Sequence, residues 1–148
     1  RPPAENAAEV LVVADVHGNR VNFEKLLAIA DLANHPRRHL IMQEVCHGGP
    51  EYPGETGGCM SHLLLEDCIK LKTEFPDRFH FLLSNHELAE LSDFPICKSR
   101  RMLNGLFRCG INELYGPDGE KVLRAYMNLL ASCPMAIPTG AGAFISAP

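Results

Sequence analysis

Three short apolar runs, separated by segments long enough to form helices, constrain the fold of this chain more than any other feature. The runs cover residues 10–14, 39–45 and 79–83. Between them, residues 22–32 and 60–75 place apolar side chains at the spacing of amphipathic helices. This β-α-β-α-β order predicts parallel strands joined by right-handed crossovers, with the first strand covered on both faces.

The rest of the chain has weaker signals. Frequent glycine and proline predict a long loop over residues 46–58. Further expectations are a loop over 95–104, helices over 106–114 and 122–131 around a turn at 115–119, and strands at 135–137 and 143–146. At 148 residues, we expect a single α/β domain spanning residues 1–148.

Composition excludes some classes of function. The formal net charge is −4 and the basic residues form no stripe, so a nucleic-acid partner is not expected. Residues 125–148 are uncharged but interrupted by proline and glycine, so no membrane span is predicted. The six cysteines include no Cys-x-x-Cys pair, which indicates reduced thiols in a cytoplasmic protein.

Metal-ligand side chains follow the apolar runs directly. Asp15 and His17 come after the first run, Glu44 lies at the end of the second, and Asn85 and His86 come after the third. Carboxylate and imidazole ligands suit Mn, Fe, Zn or Co. In open parallel sheets, ligands collect at the carboxyl ends of the strands. We therefore expect one site at that edge, with its two outer segments delivered by adjacent strands of one sheet.

These segments resemble the signature motifs of the calcineurin-like metallophosphoesterases, in particular those of the serine/threonine protein phosphatase branch. That family shows Gly-Asp-x-His-Gly, Gly-Asp-x-Val-Asp-Arg-Gly and Gly-Asn-His-Glu in this order. Residues 14–19, 40–50 and 84–87 match them in order and spacing, so the resemblance covers about residues 10–90. It implies that the βαβαβ unit is the parallel-sheet half of a metallophosphoesterase-type sandwich.

The resemblance also implies a role for each side chain. Asp15 and His17 would bind a first metal ion, Glu44 would bridge the two ions, and Asn85 would bind the second. His86 would be the general acid for the leaving alkoxide. The implied reaction is hydrolysis of phosphomonoesters, with phosphoserine and phosphothreonine as candidates, by a hydroxide bridging two divalent transition metal ions. The implied partner is a phosphoprotein or a small phosphoester.

The middle segment departs from the family motif. Glu44 stands where the family has the shorter aspartate, and His47 where it has the acidic residue that orients the catalytic histidine. Gly48 replaces the phosphate-binding arginine, which removes bidentate pairing to the transferred group. Substrate-binding charge can come instead from the next loop, through Lys98, Arg100 and Arg101. The alternative is that these three residues are only a solvated charge cluster.

The family takes further histidine ligands from a second half of its fold, whereas no histidine follows His86 in this chain. We therefore expect a domain without its C-terminal half, as a fragment, as a chain with omitted segments or as a degenerate homologue. Two alternatives to a phosphomonoesterase stay open: a non-catalytic phosphatase-like binding domain, and a phosphodiesterase or dinucleotide hydrolase of the same fold. The sequence does not define the oligomeric state.

Overall fold

The computed structural model describes residues 8–54 and 57–147 as an alternation of strands and helices. The first half contains β1 (Glu9–Val13), α1 (Arg20–Ala30), β2 (Arg38–Met42), α2 (Ser61–Glu74) and β3 (Phe79–Phe81). The second half contains α3 (Asn85–Ser92), β4 (Cys97–Lys98), β5 (Arg101–Met102), α4 (Leu103–Tyr115), a 3-10 turn (Gly116–Asp118), α5 (Gly119–Ala131), β6 (Ala136–Pro138) and β7 (Phe144–Ser146). Residues 55 and 56 of the predicted 46–58 loop lie outside the described residues.

β1, β2 and β3 form a parallel three-stranded sheet in that order. Leu11 lies opposite Leu40, and Leu40 opposite Phe79. The mixed α/β class and the βαβαβ order are therefore confirmed, while the metallophosphoesterase sandwich stays a prediction. The expectation that adjacent strands deliver the two outer segments is wrong, because each crossover adds its strand beyond the last one and β2 lies between β1 and β3.

Each strand of this sheet ends earlier than the apolar runs predict. β1 ends at Val13, β2 at Met42 and β3 at Phe81. After β1 and β2 the backbone enters left-handed conformations, with φ of 55° at Asp15 and 54° at Glu44. An extended strand cannot continue through such angles. The polar residues of the first two segments therefore lie on turns that follow the strands.

Two apolar clusters hold these strand ends in place. The first packs the sheet against α1 and α2, and its buried members include Phe23, Leu40, Met42, Leu64 and Phe79. The second lies under α4 and α5, and its buried members include Leu65, Leu83, Phe107, Ile111 and Leu130. Because β1 and β2 lead directly into the polar turns, this packing also fixes where the turns begin.

The opposite face of β1 is open. Val10 and Val12 are 43% and 48% exposed, so the prediction that this strand is covered on both faces is wrong. A continuous apolar run predicts a strand, but the burial of its side chains depends on which other elements pack against each face. The β6–β7 hairpin meets this face beside His39 and His80, around a hollow of about 270 Å³.

The second half contains the predicted helices and hairpin strands, with earlier helix starts, and one helix that was not predicted, α3. α4 and α5 each begin three residues before the predicted 106 and 122, and the predicted 95–104 loop contains the β4–β5 hairpin. All six cysteines are free thiols. Within residues 8–54 and 57–147, no helix combines the length and apolar character needed to cross a bilayer.

Candidate metal centre

The turns after β1 and β2 bring three metal-ligand side chains together. Asp15, His17 and Glu44 each place one ligand atom within 4.8 Å of the other two. Oδ1 of Asp15 lies 3.4 Å from Nε2 of His17, and the backbone N–H of Asp15 donates to Oε2 of Glu44 at 3.3 Å. Glu44 is buried, His17 half-buried and Asp15 exposed, so the cluster is open to solvent on one side.

Left-handed backbone conformations aim these side chains at one another. Asp15, His17 and Glu44 have φ of 55°, 41° and 54°. Such angles cost a non-glycine residue about 1–3 kcal/mol each and occur preferentially at functional sites. The two turns hold each other, because the N–H of His17 donates to the carbonyl of Glu44 at 2.8 Å and that of Gly18 to the carbonyl of Val45 at 3.0 Å.

Glycines allow the two turns to cross. A Cβ at Gly18 would lie 2.5 Å from the carbonyl oxygen of Gly48, and a Cβ at Gly49 would lie 2.3 Å from that of Gly18. At Gly48, φ is 85° and a Cβ would lie 3.0 Å from the carbonyl oxygen of His17. A side chain at position 48 would therefore be strained, so the crossing of the two turns favours glycine there.

The candidate acid lies beside this cluster. The ring centroids of His86 and His17 are 4.5 Å apart, and Nδ1 of His86 lies 2.8 Å from Nδ1 of His47. Nε2 of His47 in turn lies 2.8 Å from Oε1 of Glu90, and both of these side chains are buried. The structure therefore brings His86 next to the predicted metal ligands, with a buried carboxylate behind it.

Glu87 sets the position of α3 relative to the turn after β2. Its Oε1 accepts the backbone N–H groups of Val45 at 3.0 Å and Cys46 at 2.9 Å. Its Oε2 accepts from the backbone N–H and hydroxyl of Ser84, closing a capping box at the start of α3. Because Glu87 is fully buried, these bonds fix His86 with respect to Glu44.

Burial and neighbouring charge shift the pKa of two groups in the site. Burial first, and then the Asp15 carboxylate, raise the pKa of Glu44 above its usual 4.5. Burial first, and then the rings of His17 and His47, lower the pKa of His86 from 6.5 to about 4. A cation held between Asp15 and Glu44 would relieve the repulsion between the two carboxylates.

The donor set fits a single divalent transition metal ion. Two ligands of a tetrahedral ion, each about 2.1 Å from it, lie about 3.4 Å apart. The Asp15–His17 pair already has a separation of 3.4 Å. Ligand atoms that lie farther apart, up to 4.8 Å, must approach one another to bind the same ion. The Asp15 side chain can rotate to allow this, because it is 80% exposed. Two carboxylates and an imidazole are the ligand types that Mn, Fe, Zn or Co accept.

The fourth predicted metal ligand lies on α3. Asn85 is the first residue of that helix, directly before His86, and is exposed. A role for Asn85 at a second ion stays a prediction.

The three predicted substrate-binding cations have different surroundings. Lys98 borders a hollow of about 380 Å³ that the site histidines also line. Arg101 forms a two-pronged ion pair with Glu51, with N···O distances of 2.5 and 3.0 Å, and Arg100 is exposed on the turn between β4 and β5. Lys98 is therefore the predicted cation that faces the site, and Arg101 is engaged elsewhere.

Glu90 is the site residue that the sequence argument misses. Its carboxylate lies directly behind His47, and the guanidinium of Arg108 lies 3.4 Å from its second oxygen. One signal was available, since Glu90 follows His86 by four residues and thus shares its face of a helix. The contact also needs His47 to fold back from the turn after β2, and no local pattern indicates this.

Comparisons with known proteins add no relative to this description. No family model matches the chain, no curated protein matches it, and no solved structure matches its fold. The function of the chain is therefore inferred from the residues of the site themselves.

Proposed function

We propose that this chain is a metal-dependent phosphoesterase that hydrolyses phosphomonoesters. The observation that carries the proposal is the convergence of Asp15, His17 and Glu44 beside the His86 ring, at the carboxyl edge of a parallel sheet. The resemblance of the three segments to the metallophosphoesterase motifs supports the same reaction class. It favours phosphoserine and phosphothreonine as the esters that are hydrolysed.

Each residue of the site has a distinct task in this reaction. Asp15, His17 and Glu44 would hold one divalent ion, and Asn85 would contribute to a second. When bound, the ions supply a hydroxide nucleophile near neutral pH and neutralise phosphoryl charge. Lys98, which borders the same hollow as His86, offers its ammonium group to the phosphoryl oxygens.

His86 completes the reaction as general acid. As the bond between phosphorus and the leaving oxygen breaks, the electron pair stays on that oxygen and His86 gives it a proton. With a pKa of about 4, the ring is neutral at pH 7 in the free protein. The negative charge of a bound phosphate ester favours the protonated ring and opposes the positive charge of the bound ions, so binding of the substrate promotes the acid form.

The proposal is tested by substituting His86 and varying the leaving group. We expect His86→Ala to lower turnover roughly 10²–10⁴-fold while metal content stays unchanged. The loss should be larger for a phosphoserine peptide than for p-nitrophenyl phosphate, because p-nitrophenolate needs little protonation to leave. His35→Ala, at an exposed histidine in another loop, is the matched control. Unchanged hydrolysis of both substrates by His86→Ala would contradict the proposal.

A non-catalytic binding domain is the first alternative. It is favoured by His47 and Gly48, which stand where the family has an acidic residue and an arginine. Metal analysis separates the two functions: transition metal bound at one equivalent per chain, or at two where Asn85 contributes to a second ion, favours the enzyme, and none favours the binding domain.

A phosphodiesterase or dinucleotide hydrolase is the second alternative. A diester carries less negative charge than a monoester, so a site with Lys98 and no arginine at position 48 has less charge to neutralise. Hydrolysis rates for p-nitrophenyl phosphate, bis-p-nitrophenyl phosphate and dinucleoside polyphosphates rank these substrates directly.

A further inference from the structure

The hydrogen bonds at His86 continue beyond its immediate partner into the interior of the protein. We propose that Glu90 is a positioning residue of the site, which acts through His47 to fix the orientation and tautomer of His86. The role of this arrangement in catalysis rests on the proposed function. The arrangement itself is a property of the folded chain and can be observed without any reaction.

The first support is burial. The side chains of Glu90 and His47 are 0% and 1% exposed, so water does not compete for their polar atoms. Oε1 of Glu90 lies 2.8 Å from Nε2 of His47, while Oε2 faces the guanidinium of Arg108 at 3.4 and 3.5 Å. Arg108 is anchored in turn by Asp93 at 2.6 Å. Because both oxygens of Glu90 face donors, His47 must contribute its Nε2–H to this pair.

The direction of the next bond follows from the chemistry of imidazole. A neutral ring carries one N–H, so a His47 that donates from Nε2 has an unprotonated Nδ1. With His47 neutral, the 2.8 Å contact between the two Nδ1 atoms requires His86 to donate. His86 therefore carries its hydrogen on Nδ1, which leaves Nε2 as the nitrogen that exchanges a proton with a substrate.

The geometry also explains how a histidine can stand where the family has an acidic residue. His86 and Glu90 are four residues apart on α3, so they lie one above the other on the same helix face. The His47 ring bridges them, and Phe107 packs edge-on against it with ring centroids 5.8 Å apart. The carboxylate thus comes from α3 rather than from the turn after β2. His47 connects it to His86 through one hydrogen bond to each.

The decisive measurement is the tautomer of His86 in the full chain before metal is added. Two-bond ¹H–¹⁵N correlation spectra distinguish the two neutral imidazole forms. We expect the Nδ1–H form for His86 and the Nε2–H form for His47. A wild-type His86 in the Nε2–H form, or one that exchanges freely between the two forms, would overturn the inference. This measurement needs no variant.

Substitution at Glu90 gives the second arm. We expect Glu90→Gln to abolish the Nδ1–H signature of His86, because the Gln side chain can donate as well as accept. Glu90→Asp should restore it in part. Glu74→Gln, at an exposed glutamate at the far end of α2, about 20 Å along the helix from the Ser61 that contacts His47, should leave it unchanged. Circular dichroism verifies that each variant is folded. A folded Glu90→Gln variant that keeps the wild-type tautomers would overturn the inference.

Kinetics of the metal-loaded chain give the third arm. Glu90→Gln should lower kcat about 10–100-fold with little change in KM, as expected for a residue that orients an imidazole. A rise in KM of about 10–100-fold with kcat unchanged would overturn the positioning role. If the wild type shows the expected tautomers but hydrolyses no phosphate ester, the proposed function fails while the His86–His47–Glu90 arrangement stands.

Discussion

The protein contains two histidine pairs, and they differ in whether a carboxylate contacts them. One pair joins the turn after β2 to α3, and the other joins β2 to β3. At the carboxyl edge, His47 and His86 are joined at 2.8 Å, and His47 is backed by the buried Glu90. On the outer face of the sheet, Nδ1 of His39 lies 3.1 Å from Nε2 of His80, with the rings stacked at an interplanar angle of 12°. Among the described residues, those lining the hollow beside this second pair include no carboxylate.

The difference teaches what a carboxylate adds to a histidine pair. Two neutral imidazoles can bond in either direction by exchanging tautomers, so an isolated pair has no preferred donor. An anchored carboxylate removes this freedom and determines which nitrogen is left for chemistry. The carboxyl-edge pair is thus suited to deliver a proton, and the outer-face pair to join two strands.

The largest expected difference between the two regions is in their tolerance of an added methyl group. Gly49→Ala, beside the carboxyl-edge pair, would place a Cβ 2.3 Å from a carbonyl oxygen at a φ of 77°. We expect a loss of about 3 kcal/mol or more in the free energy of unfolding. Gly140→Ala, beside the outer-face pair, meets nothing within 4 Å and should change stability by less than about 0.5 kcal/mol. Urea denaturation measures both, and equal losses would contradict the crossing of the two turns.

The next largest effect concerns activity. We expect His47→Ala to lower kcat about 10–100-fold, because His86 loses the partner that orients it. His39→Ala removes the equivalent member of the outer-face pair and should leave kcat unchanged. Steady-state hydrolysis of a phosphoserine peptide by the two folded variants makes the comparison. A similar loss in both would mean that the two pairs act through stability alone.

Much of the carboxyl-edge region could be predicted from the sequence. The apolar runs and helix-length crossovers predict a parallel sheet, and the carboxyl ends of parallel strands share one edge, so Asp15, His17 and Glu44 were expected at that edge. The left-handed turns that bring the three side chains together were not predicted. Glu90 could not be predicted in the same way. It lies 43 residues from its partner His47, and their contact depends on left-handed backbone at Glu44 and His47.

The outer face shows a second limit of sequence reasoning. The run at residues 10–14 is apolar throughout, and this led to a prediction of cover on both faces. Val10 and Val12 are nevertheless exposed, because α1 and α2 pack on the other side of the sheet. Periodicity reports what a strand can bury, while burial itself depends on distant elements that reach the strand.

A smaller difference should appear in the pH dependence of stability without metal. Burial is the main cause that lowers the pKa of both His86, to about 4, and His80. Below pH 6.5 the unfolded chain then binds more protons than the folded chain, so stability falls as the pH drops from 6.5 toward the folded pKa. We expect His86→Gln to flatten this fall more than His80→Gln does. Urea denaturation at about pH 7.5 and pH 5 measures it, and equal slopes in the two variants would contradict the deeper pKa shift at His86.

The smallest expected effect tests whether positive charge reaches the carboxyl-edge pair. Lys98 borders the same hollow as His47 and His86, whereas Arg101 is held by Glu51. Because a single exposed ammonium contributes modestly to anion binding, Lys98→Ala should raise KM for a phosphate monoester by only about two- to fivefold, which is about 0.4–1 kcal/mol. Arg101→Ala should leave KM unchanged. A larger rise in KM for Arg101→Ala than for Lys98→Ala would contradict this assignment. It would mean that Arg101, rather than Lys98, supplies the positive charge in the hollow beside His86 when the substrate binds.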